Sequence, residues 1–388
     1  MKFIELCDSN NCTGCGACYN ICPKDSISMI QDEEGFLIPS IDRTVCIECA
    51  LCVKVCPILN PIEKFKAVEY PIAACAKSEE IRTKSSSGGI FSLLASYVLQ
   101  QEGVVFGAVM NDKFEVYHTV AHNLSELARL RGSKYVQSDT RSTFKDVKKY
   151  LQEGRYVLYV GTPCEIAGLR KYISKSIVEK LFTVDLVCHG VPSVKAFQMY
   201  IQKYAEKKHL SLMEIKDFQF RQLDSWGITP SYKNVFGERV YTRGKDNLFM
   251  DLFLSSKLHR YSCYNCRFAT EERISDITLA DFWGIGSSGK FDFDISKGCS
   301  LVLANSLKGK FLMDNIKEEI YAEERTWEEA KKINHQLYKT SKRSKGREYI
   351  YLRLFEWPYD RMYNYYYNSL WFKIKKQIGR LLILLRLK

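Results

Sequence analysis

Two dense runs of cysteine constrain this chain more than anything else in it. "NNCTGCGACYNICPKD" carries Cys12, Cys15, Cys18 and Cys22, and "TVCIECALCVKVCPILNP" carries Cys46, Cys49, Cys52 and Cys56; a proline, Pro23 or Pro57, follows each fourth thiol. Segments this short bury little apolar surface, so their fold depends on what the thiols bind. Disulfides belong to oxidising compartments. The opening "MKFIELCDSN" has neither the apolar stretch nor the cleavage signal of a secretory leader, so the thiols are expected to stay reduced in the cytoplasm. Structural zinc usually takes thiols as two separated pairs around one tetrahedral ion, and these runs are not split that way.

The spacing is instead C-x2-C-x2-C-x3-C-P, the run that holds two cubane clusters in bacterial ferredoxins. There the fourth cysteine of each run crosses to the other cluster. Cys12, Cys15, Cys18 and Cys56 are therefore expected to hold one 4Fe-4S cluster, and Cys46, Cys49, Cys52 and Cys22 the other. Gly14 and Gly16 leave room for the backbone to curl closely around a cluster.

The 388 residues have room for two or three domains, and 46% hydrophobic content fits an ordered globular chain. Of the 15 cysteines, Cys7, Cys75, Cys164, Cys188, Cys263, Cys266 and Cys299 remain outside the two runs. The net charge of +12 suggests nucleic acid only until it is located: residues 342–388 hold 12 Lys or Arg against 3 Asp or Glu, so the body is nearly neutral and no nucleic-acid partner is expected. No window approaches ~18 uncharged apolar residues, so no transmembrane span is expected.

Residues 1–62 read as the small cluster module, and "NPIEKFKAVEY" as a linker. Beyond it "AACAK", "GVVFGAVM", "YVLYVG" and "FTVDLVCHG" read as buried strands, with helices at "GIFSLLASYVLQ", "CEIAGLRKYI" and "VKAFQMYIQKYAEKK". "IKDFQFRQ", "ITLADFWG" and "CSLVLANS" extend a mixed sheet, with helices near residues 309–337. The fold class is α+β or α/β: a ferredoxin-like module, a larger mixed domain over residues 66–340 with a possible sub-boundary near 150, and a basic helical tail over 341–388.

In sheets of this kind ligands gather at strand ends. Ser85 to Gly89 precede an amphipathic helix, where hydroxyls, amides and the helix dipole suit an anion or simply cap the helix. Arg131 to Ser138 form a cationic, aromatic loop. Pro163 suits a first helical position and sets Cys164 in the first turn; Cys188 ends a buried strand; Cys263 and Cys266 form a CxxC pair. Four thiols complete the minimum for a third metal centre, zinc or 4Fe-4S. His189, beside Cys188, is a candidate proton donor or a structural hydrogen-bonding group. Asp276, Asp281, Trp283 and Gly284 bracket a strand that could wall a redox pocket.

"SSSGGIFS", "GSKYVQS", "GTPCEIAGLRKY", "VDLVCHGVPS" and "CYNCRFA" followed by "DITLADFWG", in that order, resemble the beta subunits of coenzyme F420 hydrogenases and dehydrogenases over roughly residues 65–310. The resemblance implies FAD beside a third 4Fe-4S cluster. By motif it makes Cys164, Cys188, Cys263 and Cys266 the cluster ligands, and Ser86, Ser87, Gly88, Gly89, Ser133, Lys134 and Tyr135 the flavin contacts. The family also includes members that reduce chlorophyll intermediates and others that accompany surface-polysaccharide synthesis, so the substrate stays open. A flavin exchanges electrons singly with clusters and in pairs with substrates. The expectation is an iron-sulfur flavoprotein oxidoreductase working with a redox partner protein or a small hydride donor or acceptor. The alternatives are an electron-transfer subunit that feeds another catalyst and a non-redox cluster-binding protein.

In the tail, Trp371, Ile374, Ile378, Leu381, Leu382 and Leu385 share one helical face, with Lys373, Lys376 and Arg380 opposite. Such a helix either lies on the inner membrane surface or docks on protein.

Overall fold

The computed structural model describes residues 4–67, 69–221 and 226–368. In the amino-terminal module, α1 (Ala17–Ile21) and α2 (Leu51–Val55) are five residues each, too short to persist alone in water. Each is entered through a left-handed residue, Gly16 (φ 74°) or Ala50 (φ 56°), and each ends where a fourth cysteine, Cys22 or Cys56, turns to extended backbone. Between them β1 (Ile27–Gln31) pairs antiparallel with β2 (Leu37–Ile41). Asp32 closes this hairpin by accepting from the amides of Glu34 (3.0 Å) and Phe36 (2.8 Å).

The hairpin tip is driven into the larger domain. Phe36 is 1% exposed among that domain's aromatic side chains, 5.8 Å from the Tyr351 ring. Beside it Arg347 grips the Glu34 carboxylate with both Nη atoms, Nη2 at 2.6 Å from Oε2. The stretch expected as a linker is also strapped down. Phe65 exchanges backbone hydrogen bonds with Arg273 (2.5 and 2.8 Å), and its ring lies 4.3 Å from the Arg170 guanidinium. Those contacts offset the chain freedom that a loose connection would keep.

The strands of the main sheet are β3 (Ile72–Ala76), β4 (Val104–Met110), β5 (Val116–Ala121), β6 (Val157–Gly161) and β7 (Leu181–Leu186), then, after an insertion carrying β8 (Lys216–Gln219), β9 (Ser231–Lys233) and β10 (Arg239–Tyr241), β11 (Ile277–Asp281), β12 (Ser300–Ala304) and β13 (Ile320–Glu324). The helices are α3 (Glu79–Thr83), α4 (Ile90–Gln100), α5 (Leu124–Leu130), α6 (Thr143–Gln152), α7 (Pro163–Tyr172), α8 (Val194–Lys208), α9 (Leu248–Leu254), α10 (Tyr261–Tyr264), α11 (Leu307–Ile316), α12 (Trp327–Ile333), α13 (Arg347–Glu356) and α14 (Tyr359–Tyr367).

Eight strands lie in the order β13-β3-β12-β11-β7-β6-β4-β5. The central β11, β7, β6 and β4 are parallel neighbours, and the outer strands are antiparallel. Alternation along each strand divides the core. Val105, Val109, Leu158 and Val184 face α4 and α11, whereas Val104, Phe106, Val157 and Tyr159 face α6, α7 and the module's Ala17 and Val55. One period-two pattern thus seats both the helical layer and the cluster module.

"IKDFQFRQ" was expected to extend this sheet, but β8 pairs with β9 in a separate three-stranded sheet. Its Phe218 and Phe220 pack on Phe197 of α8, at 5.3 and 4.9 Å between rings, so aromatic packing on α8 fixes its place. That aromatic core also takes Ile350, Tyr351 and Leu354 of α13 and Tyr359 and Met362 of α14. The tail expected from residue 341 is therefore domain structure through α14. The amphipathic face from Trp371 onward lies outside the described residues. No helix among the described residues is long and apolar enough to cross a membrane.

Candidate redox centres

Cys12, Cys15, Cys18 and Cys56 line a first cavity, with Cys7 and Cys52 also at its wall. Cys22, Cys46, Cys49 and Cys52 line a second. Each cavity is thus lined by three cysteines of one run and the fourth of the other, Cys22 and Cys56 standing at the ends of the short helices α1 and α2. Among the described residues no three Cys, His, Asp or Glu side chains converge as one metal ion requires. A single zinc draws its thiolates to ~2.3 Å. Four thiols line each cavity, the donor set of a 4Fe-4S cluster. Burial pushes Cys15 up to about 12 and raises Cys12 and Cys18, so the metal-free thiols are protonated and ligation must displace those protons.

The first cavity is roofed by the large domain. Thr140 Oγ1 donates to the Cys15 carbonyl at 3.1 Å, and Arg260 Nε donates to that of Cys12 at 2.6 Å. On α7, a Cβ at Gly168 would stand 2.9 Å from Cys15 Sγ, so only glycine lets the helix approach this thiol without displacement. The second cavity faces outward. Cys49 is exposed there, with Val45 (45%) and Ile47 (56%) beside it.

The four remaining candidate ligands lie near enough to influence one another's charge. Beyond β6, Thr162 and Glu165 form a reciprocal capping box, Thr162 N donating to Glu165 Oε2 at 2.6 Å, with Pro163 inside it. This fixes the first turn of α7 and holds Cys164 with its sulfur 3.2 Å from Thr162 Oγ1. Cys188 lies beyond β7, Cys263 in α10 and Cys266 just after it. Burial raises all four thiols. Neighbouring thiols add to it: Cys188 and Cys266 act on Cys164, and Cys263 and Cys266 on Cys188.

Ser133 N donates to Ser86 Oγ (3.0 Å), Ser87 Oγ to the Cys299 carbonyl (2.9 Å) and Gly88 N to Ser300 Oγ (3.0 Å), drawing the serine loop and the "GSKY" loop together before α4. Gly89 (φ 88°) makes the turn into that helix. The Lys134 ammonium instead caps α5, donating to the carbonyls of Arg129, Leu130 and Arg131 (3.3, 3.0 and 2.7 Å). Tyr135 accepts from Arg221 Nη1 (3.1 Å), and Arg221 pairs with both oxygens of Asp281 (2.6 and 3.2 Å). Trp226 donates to Asp281 (2.7 Å) and stacks on Trp283 at 4.6 Å. Arg221 and Trp226 escape a sequence reading because nothing local ties them to Asp281. Asp276 serves packing: it accepts from Thr183 N and Oγ1 and from Ser306 Oγ (2.8, 2.7 and 2.6 Å). His189 has both ring nitrogens engaged, Nδ1 with Gln336 Nε2 (3.0 Å) and Nε2 with the Leu254 carbonyl (3.2 Å).

Comparison with known proteins bears on the whole arrangement. The family model for the C terminus of the coenzyme F420 hydrogenase/dehydrogenase beta subunit matches residues 154–330, its N-terminal counterpart matches residues 72–145, and a 4Fe-4S dicluster domain matches residues 11–59. The chain belongs to the family of F420 hydrogenase/dehydrogenase beta subunits. To this family it joins an amino-terminal dicluster domain, which makes it an iron-sulfur protein. It is 29% identical over 175 residues to the coenzyme F420-dependent sulfite reductase of Methanocaldococcus jannaschii, a match covering 44% of this chain and only 26% of that protein. With the F subunit of the F(420)H(2) dehydrogenase of Methanosarcina mazei it shares 22% identity over 276 residues, 68% of this chain and 74% of the relative. A chain of the xenon-derivatised F420-reducing NiFe hydrogenase complex of Methanosarcina barkeri superposes with TM-score 0.50 at 18% identity, covering 70% of this chain and 90% of that one, which is a likeness of fold.

Proposed function

We propose that this beta-subunit relative is an iron-sulfur flavoprotein oxidoreductase that moves electrons between a protein carrier at its surface and a two-electron coenzyme or substrate at the strand ends. One observation carries the reading. Helix α7 bears Cys164 in its first turn and, one turn later, opens at Gly168 onto Cys15, so a single rigid element joins the buried dicluster cavity to the third thiol set. Cys49 of the outward set is exposed, whereas Cys12 and Cys15 are buried. Cys12, Cys15, Cys18 and Cys56, the set of Cys46, Cys49, Cys52 and Cys22, and the set of Cys164, Cys188, Cys263 and Cys266 would each hold a 4Fe-4S cluster, which supplies one-electron storage.

Ser86, Ser87, Gly88 and Gly89 at the amino end of the 11-residue α4, with Ser133 bonded to them and Tyr135 two residues further on, suit an anionic, planar cofactor, and FAD is the one we assign. Lys134 supports that loop without contacting the cofactor. A bound flavin would convert between single electrons and pairs. Arg221 holds Asp281 and Tyr135 in place around it, and His189 fixes the loop after Cys188. Names of the relatives make deazaflavin the first two-electron partner to try. A second reading, a carrier subunit without its own substrate, draws on the solvent-facing Val45 and Ile47 around Cys49, which suit a protein partner. Anaerobic purification followed by iron, sulfide and flavin analysis tests both. Three clusters and releasable FAD are expected; zinc in place of iron ends the proposal, and clusters without flavin leave only the carrier.

A further inference from the structure

Arg260 lies between the first and third thiol sets and is 2% exposed. Its backbone is fixed on the third set: Arg260 N donates to the Val191 carbonyl and the Cys263 amide donates to the Arg260 carbonyl, both at 3.0 Å. Its side chain reaches the first set. Nε donates to the Cys12 carbonyl (2.6 Å), and Nη1 donates to the Leu37 carbonyl (2.9 Å) and faces Gln137 Oε1 (3.5 Å). These partners are neutral, and among the described residues Nη2 is buried with no protein acceptor. A full charge taken out of water with a donor unspent is costly unless an opposite charge compensates it. Nη2 therefore calls for an anionic acceptor beside Cys12. Burial raises the Cys12 thiol, and Arg260 is the largest influence opposing that rise.

We infer that Arg260 is a positioning residue that raises the reduction potential of the cluster held by Cys12, Cys15, Cys18 and Cys56. The inference rests on the cluster reading above and deepens it. Reduction adds one electron, and so one negative charge, to the cluster, with no bond formed or broken. Removing water from that cavity disfavours the more negative state, and the guanidinium opposes this because net charge, hydrogen bonds to the cluster and solvent exposure set such potentials. The outward-facing second set lies apart from this residue, so two cysteine runs of equal spacing differ in environment.

Full-length protein purified without oxygen is titrated by EPR-monitored reduction as wild type, Arg260→Lys, Arg260→Gln and Gln137→Glu, with the second cluster's signal marked by Cys49→Ser. Iron and sulfide are counted first, so a failure of the cluster reading shows there and not in the potentials. In loaded Arg260→Gln the reduced-to-oxidised ratio of the first cluster at fixed potential should fall about tenfold, about 59 mV for one electron, with the second cluster within twofold of wild type. Arg260→Lys should retain most of the wild-type value. Should Arg260→Gln lose its clusters, Gln137→Glu, which keeps the arginine and sets an anion against it, should give the same downward shift. An unmoved first cluster in either loaded variant, or an equal shift of both clusters, overturns the inference.

Discussion

The two four-cysteine runs have the same spacing and different surroundings. The first is covered by Thr140, Arg260 and α7, its carbonyls taken by side chains from the large domain. The second presents Cys49 and Ile47 to solvent. Ligand type and spacing state what each run suits; the groups just outside the thiols cover one set and leave the other open to solvent.

The largest test of this contrast is Cys56→Ala. It alters the second run, yet it should abolish the buried cluster held by the first and leave the outward cluster's EPR signal. Loss of the outward signal alone would refute the crossing. Gly168→Ala addresses the roof. With a Cβ 2.9 Å from Cys15 Sγ, it should destabilise the buried site by ~1–3 kcal/mol, read as earlier loss of cluster absorbance in urea, and leave the outward site unchanged. Ile47→Asp should slow reduction by a protein donor about tenfold, ~1.4 kcal/mol of encounter free energy, and leave reduction by dithionite unchanged. Equal slowing with both donors would remove the entry point.

The smallest effect is a control far from both runs. Burial lifts the Asp251 carboxyl to about 6, so the folded chain keeps a proton that the unfolded chain releases near its ordinary value of 3.8. Its contribution to stability is therefore full below about pH 4 and is lost as pH rises through about 6. Asp251→Asn should flatten that slope in thermal melts without changing either cluster's spectrum.

Much of this was legible in sequence because it is local. The cysteine spacing specified the ligand runs, and apolar runs located β4, β6, β7, α4 and α8 closely. What stayed hidden depends on distant partners. β5 and β13 are half-exposed edge strands with weak apolar signal. β8 has strand composition, but its sheet is decided by aromatic contacts with α8. Arg260 stands three residues before Cys263 in "HRYSCYNC", a cation near a ligand pair, and nothing in that string points to Cys12. Motif reading likewise assigned Lys134 a role at the flavin, whereas its ammonium is already taken by the end of α5.

The clamp between Glu34 and Arg347 has a consequence for folding. The two residues are 313 positions apart, so the hairpin's seat is made only when segments distant in the chain have come together, and the module's docking is tied to the packing of α13.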